Sequence, residues 1–284
     1  MRTQLIGCMV DNGRNRVHIV NMGSDVTTFT KGAQVVKRVS SVLRALASAP
    51  PDGLSTSAVA ASAGLTRPTA HRLLSALLDE GLTDRDNRNG RWFLGPDTYI
   101  MGMLAAPRFD VSDQAADCVR QLAADTGESA FFSVRRHRET VCLLHAEGSF
   151  PVRSFVLREG TRFPLGVASA GLAILSHLPD QDIDRYLSEF PLEQDYGPAH
   201  SREAILARVR ETRERGYAVN PGLIVEGDWG LGAAVFDTAG QPRWALSLTG
   251  IEPRFRPGRQ RELGRALLDA AYKLTKGTRR TDRP

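Results

Sequence analysis

The stretch GLTRPTAHRLLSALLDEGL, residues 64–82, decides how the N-terminal part of this chain folds. Ala70, Leu73, Leu74, Leu77 and Leu78 recur at i, i+3, i+4, i+7 and i+8, the apolar stripe of an amphipathic helix. At its entrance stand Arg67, Pro68, Thr69, His71 and Arg72. Proline fits the first turn, where its missing N–H would have had no intrahelical partner. It also disfavours the α region at Arg67, so the sequence predicts a helix that starts sharply at Pro68. A sharp start aims the first-turn N–H groups and the positive dipole end at an anion.

The flanking sequence gives that helix a context. Val35, Val39, Val42, Leu43, Leu46 and Ala47 share one helical face, and APPDG (49–53) ends their helix. LSTSAVAASAG (54–64) is a short second helix, with Ser55 as N-cap and Gly64 just past its end. TDRDNRNGRWFLG (83–95) has turn residues between two extended runs, with Asn89-Gly90 as the expected tip of a hairpin. Three short helices and a hairpin make a winged helix-turn-helix, whose third helix enters the major groove of DNA. On this reading Arg67 and Arg72 are bidentate to guanine or bind phosphate, and Thr69 donates to phosphate or touches a thymine methyl. The DNA-facing set is Ser55 and Thr56 at the start of the second helix, Arg67, Pro68, Thr69, His71 and Arg72 on the third, and Arg88 and Arg91 on the wing. Arg85 also reaches the wing, where Asp84 and Asp86 weaken the local field. His71 serves equally well as a packing residue.

PDTYIMGMLAA (96–106) is another helix, and Tyr99, Ile100, Met101, Met103 and Leu104 make it too apolar to stand alone in water. Beyond it, helices are expected near 112–126, 168–177, 201–215 and 258–275, and strands at 129–135, 139–147, 152–157, 231–237 and 243–249. Successive strands without intervening helices predict an antiparallel sheet in an α+β domain. Residues 1–33 carry no sustained period and read as a flexible extension, with a short strand at Arg16 to Val20 and Met22 as an alternative start. The domain reading is 34–95 for the winged helix, 96–107 for the linker helix, 108–276 for the second domain and 277–284 for a disordered basic tail.

The whole chain bounds the chemistry. Its 284 residues are 42% hydrophobic and 24% charged, ordinary for a soluble protein of two domains. No apolar run approaches about 18 residues, and no secretory signal opens the chain, so no membrane is expected and the location is cytoplasmic. Cys8, Cys118 and Cys142 are widely spaced and odd in number, which argues against disulfides and thiolate zinc sites. The net charge of +5 permits nucleic acid binding without requiring it. His18, His71, His137, His145, His177 and His200 show no pair at metal spacing, and no phosphate loop or dinucleotide fingerprint occurs, so neither metal nor cofactor is expected. GVASAG (166–171) lacks the G-x-S-x-G of a nucleophile elbow, because Val167 stands where the first glycine belongs. Arg254, Arg256, Arg259, Arg261 and Arg265 are interrupted by Glu252 and Glu262 and read as a solvated helix face.

VVKRVSSVLRALA (35–47), GLTRPTAHRLLSALLDEGL and GRWFLGP (90–96) resemble the DNA-binding domain of IclR-type transcriptional regulators of bacteria. LREGTRFPLGVASAGLAILSHLP (157–179) and RERGYAVNPGLIVEGDWGLGAAVFD (213–237) resemble the two signature segments of that family's effector-binding domain. The likeness covers about residues 34 to 276. It implies a winged helix-turn-helix, a linker helix and a GAF-like C-terminal domain with an antiparallel sheet. It further implies homodimers joined through the N-terminal domains, often paired into homotetramers. It implies a palindromic operator in double-stranded DNA and a small-molecule effector, frequently a carboxylate or aromatic metabolite. The implied effector set is Leu165, Gly166, Ala168, Ser169 and Ala170 from the first signature, and Leu223, Trp229, Gly230 and Leu231 from the second.

This chain departs from the family pattern. Gly171-Leu172 replaces the usual Gly-Lys, Pro221, Gly222 and Leu223 replace acidic residues, and Gly230 stands at the usual cysteine. A pocket less polar than the family's, without a thiol and with Trp229 as an aromatic wall, would take an apolar or aromatic effector. Equally, Trp229 is core packing and Gly230 a bulge. The rival readings are a small-molecule-metabolising enzyme with a vestigial DNA-binding domain, for which no nucleophile–base pair is found, and an adaptor whose winged helix binds protein. The outward Arg67, Thr69 and Arg72 favour DNA over the second rival.

Overall fold

The computed structural model describes residues 33–105, 112–151 and 156–281, apart from the side chains of 112, 113 and 278–281. The expected extension with its strand at Arg16 to Val20, residues 106 and 107 of the linker, and most of the strand expected at 152–157 lie outside the described residues. Leu157 and Val156, which are described, belong to no strand.

The first domain follows its patterning closely. Helix α1 spans Gln34–Ala47 and buries Val42 and Leu46. Helix α2 spans Thr56–Ala63; Ser55 is extended and its side chain accepts from the Ala58 N–H, while Gly64 closes the helix at φ +65°. Helix α3 runs Arg67–Asp79 with Thr66 as N-cap, one residue earlier than Pro68 predicts. Arg67 is thus helical although a proline follows it. The Thr66 carbonyl already accepts from the Ala70 N–H at 2.9 Å, and Pro68 sits in the first turn, where no donor is missed. Val42, Leu46, Val59, Leu74, Leu77 and Trp92 form the domain's core. Leu78, the last member of the expected stripe, is 38% exposed, because the stripe drifts around the helix past the contact with α1 and α2.

Strands β1 (Thr83–Arg85) and β2 (Trp92–Leu94) form the antiparallel wing. Its tip is wider than a two-residue Asn-Gly turn: Asp86 and Arg91 still pair through backbone, the Gly90 N–H returns to the Asp86 carbonyl, and Gly90 takes φ +67°. Leu54 adds a bridge to Trp92, so the start of α2 is stitched to the wing. Helix α4, Pro96–Ala105, follows and buries none of its side chains.

The second domain is an antiparallel sheet between helices. Helix α5 (Ser112–Thr126) precedes β3 (Ser129–Arg136), β4 (Glu139–Ala146) and β5 (Arg162–Pro164). Then come α6 (Ser169–Ser176), α7 (Asp180–Glu189), α8 (Glu193–Tyr196) and α9 (Arg202–Arg215). Strands β6 (Ala218–Pro221), β7 (Asp228–Phe236) and β8 (Pro242–Ile251) lead into α10 (Pro257–Thr281). The strand order is β5-β4-β3-β8-β7-β6, every pair antiparallel. Two short strands and helices α7 and α8 are additions to the sequence reading. Helix α10 runs through Lys276 to Thr281, into the segment expected to be a disordered tail, since Leu263, Leu267, Ala271 and Leu274 hold its inner face against the sheet.

Each strand alternates between two cores. Leu231, Ala233, Val235, Leu246, Leu248 and Phe132 face α5 and α10. The opposite face meets α6, whose eight residues are all buried among Phe163, Leu165, Ile205 and Val209.

Candidate functional site

The first candidate site is the outer face of α3 with the wing. Arg67, Pro68, His71 and Arg72 are exposed, whereas Ala70, Leu74 and Leu77 are buried behind them. The Thr69 hydroxyl lies 2.9 Å from that of Thr66, which fixes both at the mouth of the helix. Trp92 is the hinge pin of the arrangement. Its indole Nε1 donates to Thr56 Oγ1 at 3.0 Å, His71 meets its ring edge-on, and the Arg85 guanidinium stacks over it at 5.2 Å. The elements carrying Ser55 and Thr56, Arg67 to Arg72 and the wing are therefore registered by one side chain. Ser55 spends its acceptor on the helix cap.

The two wing arginines of the predicted set divide. Arg88 is exposed, and its backbone N–H donates to Asp86. Arg91 turns inward: its guanidinium donates to the Gly53 carbonyl at 2.9 Å and pairs with Asp52 at 3.1 Å. Arg91 clamps the wing to the loop before α2 instead of pointing outward. Arg85, outside the predicted set, is exposed on the wing with its guanidinium over Trp92.

The second candidate site is a cavity of the second domain, about 480 Å³ counting its open mouth. Its floor is the α6-side face of the sheet: Ser133, Asp228, Gly230, Ser247 and Thr249. Its roof is the start of α6 at Ala168, Ser169 and Ala170, and its side wall is Val156, Leu157, Phe163 and Ile224. Asn220 stands at one end, its amide donating to the Val167 carbonyl at 2.7 Å and accepting from the Leu223 N–H at 3.0 Å. The amide thus holds the segment entering α6 against the turn after β6. Ser247 and Thr249 are buried, and their hydroxyl oxygens have no hydrogen-bond partner among the described residues. Unsatisfied buried hydroxyls facing a cavity are acceptors and donors in wait for a guest. The first-turn N–H groups of α6 add a positive end to the same space.

Of the expected effector set, Ala168, Ser169, Ala170 and Gly230 line this cavity. Leu165 is buried in the core under α6, and Gly166 sits beside it at φ +90°, packed near Leu175 and Ile205. Leu223 offers its backbone to Asn220, and its side chain is not in the lining. Leu231 belongs to the opposite core, and Trp229 packs there too. The cause is strand periodicity: Asp228, Gly230 and Gly232 alternate with Trp229, Leu231 and Ala233, so an aromatic wall at Trp229 would need the wrong face. Gly230 is not a bulge either, since its pairing with Asn220 and Thr249 is regular. The hydroxyl floor also makes the cavity more polar than the sequence departures imply.

The floor was readable in principle. In ALSLTG (245–250) Ser247 and Thr249 alternate with Leu246 and Leu248 in a strand covered on both sides, a pattern that marks a lined cavity.

Other chemistry is quiet. Burial pushes the Cys142 thiol up to about 12, and also raises that of Cys118. Among the described residues no group of histidine, cysteine and carboxylate side chains could hold a metal ion, and no helix is long and apolar enough to cross a membrane.

The family model for the C-terminal domain of bacterial IclR transcriptional regulators matches residues 103–276, and that for the IclR helix-turn-helix domain matches 35–87. The HTH-type transcriptional regulator BhcR of Paracoccus denitrificans is 28% identical over 226 residues, covering 79% of this chain and 81% of its own. An IclR transcriptional regulator from Alicyclobacillus acidocaldarius superposes with a TM-score of 0.70 at 24% identity, covering 86% of this chain and 98% of its own. An IclR homologue from Microbacterium hydrocarbonoxydans, crystallised with 4-hydroxybenzoate, superposes with a TM-score of 0.66 at 21% identity, covering 87% of this chain and 99% of its own.

Proposed function

The chain belongs to the IclR family of bacterial transcriptional regulators, with a helix-turn-helix DNA-binding domain and an effector-binding C-terminal domain, and on that premise we propose how it works. It binds a palindromic operator as a homodimer, two copies of α3 entering successive major grooves. Arg67, Thr69 and Arg72 read or grip the groove, and Arg88 and Arg85 follow the flanking backbone. Helix α4 supports the dimer: Tyr99, Met101, Met103 and Leu104 are each more than half exposed, an apolar face that water does not favour. The chain acts by binding and has no catalytic role of its own.

The effector is a small carboxylate with an aromatic or apolar body. Its anionic end sits by the first turn of α6 and the hydroxyls of Ser169, Ser247 and Thr249. Its body lies against Val156, Leu157, Phe163 and Ile224. The homologue crystallised with 4-hydroxybenzoate supports that class. Effector control requires different affinities for the DNA-competent and incompetent states.

The observation that carries the reading is the pairing of an outward basic α3 with a domain whose cavity holds unsatisfied buried hydroxyls. The test is a gel shift of the full chain on intergenic DNA beside its own gene, at several salt concentrations and with excess competitor. Sequence-selective retention is expected, and it should change when a cavity ligand is added. Binding that competitor abolishes at every salt concentration, for this DNA and for genome-selected fragments alike, would defeat the reading.

A further inference from the structure

Gly230 and Gly232 lie on the cavity side of β7, two residues apart, under the start of α6. They do different work. A Cβ on Gly232 would come within 2.4 Å of the Ser169 carbonyl oxygen and 2.9 Å of the Ala170 nitrogen. Those are backbone atoms, so Gly232 is what lets α6 sit down on the sheet. A Cβ on Gly230 would meet only the Ser169 hydroxyl, at 3.0 Å, with the Leu248 carbonyl at an ordinary 3.6 Å. That hydroxyl ends a short rotatable side chain, which can give way without moving the backbone.

The register makes the position specific. Gly230 pairs with Asn220 on one side and Thr249 on the other. The three strands therefore present amide, bare backbone, hydroxyl in one row across the cavity floor. The Ser169 hydroxyl rests over the bare position, between two polar neighbours.

We propose that Gly230 is a specificity-determining position of the effector cavity: by lacking a side chain it holds the Ser169 hydroxyl in the polar end, where it meets the anionic group of the ligand. Gly230 is a positioning residue that acts through Ser169. The proposal rests on the effector reading above and goes beyond it in naming which residue aims the contact. Any side chain at 230 turns the hydroxyl aside and shortens the polar end, so the compact head of the ligand is penalised before its body is.

The experiment uses the full-length protein and a panel of acetate, lactate, benzoate and 4-hydroxybenzoate, read by thermal shift and then calorimetry. The variants are Gly230→Ala, Ser169→Ala, the two combined, and Phe163→Leu at the apolar wall. Gly230→Ala and Ser169→Ala should each weaken the tightest panel compound about 10- to 100-fold, the loss of one hydrogen bond to a charged group. The double variant should be no weaker than either alone, because both remove the same contact. Phe163→Leu should add its own loss independently. Unliganded melting temperatures should stay within about 3 °C of the parent for all four.

Wild-type affinity in Gly230→Ala, or losses that add in the double variant, overturns the proposal while leaving the effector reading intact. Panel binding that ignores Phe163, Ser169 and Gly230 alike places the ligand elsewhere and defeats both. A parent protein that no panel compound stabilises also defeats both.

Discussion

The indole N–H of Trp92, on the wing, donates to the hydroxyl of Thr56, the first residue of α2, across 3.0 Å. Trp92 is 1% exposed and also closes the core formed with Val42, Leu46, Val59, Leu74 and Leu77. One side chain therefore supplies both the apolar floor of the domain and the bond that keeps wing and helices in register. The proposed DNA contact depends on that register, because it has the wing and α3 meeting the duplex together.

Trp92→Phe keeps a ring and loses the donor, and Thr56→Val keeps the volume and leaves the donor buried without a partner. Each should cost about 1–2 kcal/mol in urea unfolding of the full chain, and the pair should be less than additive. Trp92→Ala should cost about 3–5 kcal/mol and abolish operator binding. Full additivity of Trp92→Phe and Thr56→Val would mean that the hydrogen bond contributes nothing to stability.

Local rules made the first domain legible. Ser55, Gly64 and Gly90 do at the helix ends and wing what their residue types predict. The apolar stripe of α3 was readable, while that of α1 holds only in its middle: Val42 and Leu46 are buried, and Val35 and Ala47 at its ends are exposed. The cavity under α6 was less legible, because its lining depends on which face of a central strand looks at α6. Ser247 and Thr249 sit in a run dominated by Leu246 and Leu248, and only pairing with β7 and β3 shows that they share a face with Gly230 and Ser133. Trp229 drew attention by size, yet its parity sends it to the other core. Arg91 was counted outward by composition, and its ion pair with Asp52 depends on a chain reversal that periodicity does not encode.

Trp229→Ala should accordingly act on stability. It removes part of the packing between the sheet and α5 with α10, at about 2–3 kcal/mol for a side chain that is partly buried. Ligand affinity should stay within about twofold. A large change in affinity at unchanged melting temperature would return Trp229 to the cavity.

Thr249→Val should separate stability from function. The hydroxyl is buried with no partner among the described residues, so replacing it with a methyl of similar size should remove an uncompensated desolvation. The unliganded protein should melt about 2–4 °C higher, while ligand affinity falls. A lower melting temperature would show that the hydroxyl is satisfied in solution.

His200 is fully buried, its two ring nitrogens 3.0 Å and 3.5 Å from the carbonyls of Tyr196 and Val167. Burial pushes its pKa below the ordinary histidine value, against those carbonyls, which favour the charged form. The unfolded chain therefore binds a proton that the fold resists. The resulting stability is present above the ordinary value near 6.5 and is lost as the pH falls below it. The slope for one such site reaches at most about 1.4 kcal/mol per pH unit. Unfolding free energies measured from pH 7.5 to 5 should decline on acidification, and less so in His200→Gln. An imidazole titration in the folded protein with its midpoint at or above 6.5 would reverse the sign.

The wing arginines offer the sharpest contrast between charge that meets DNA and charge that holds the fold. Arg72→Ala should weaken operator binding at least about tenfold, because the proposed reading gives exposed Arg72 a base or phosphate contact. Arg88 is exposed on the wing, and the phosphate contact proposed for it would release counterions. Arg88→Ala should therefore lower the slope of log K against log salt by about 1, with little dependence on sequence. Arg91 is paired with Asp52 and bound to the Gly53 carbonyl, so a phosphate contact there would first have to break that pair. Arg91→Ala should leave the salt slope unchanged and instead lower the domain's resistance to proteolysis at the wing. Binding isotherms of the variants at four salt concentrations decide it: equal slope changes for Arg88→Ala and Arg91→Ala would mean that Arg91 leaves Asp52 when DNA binds.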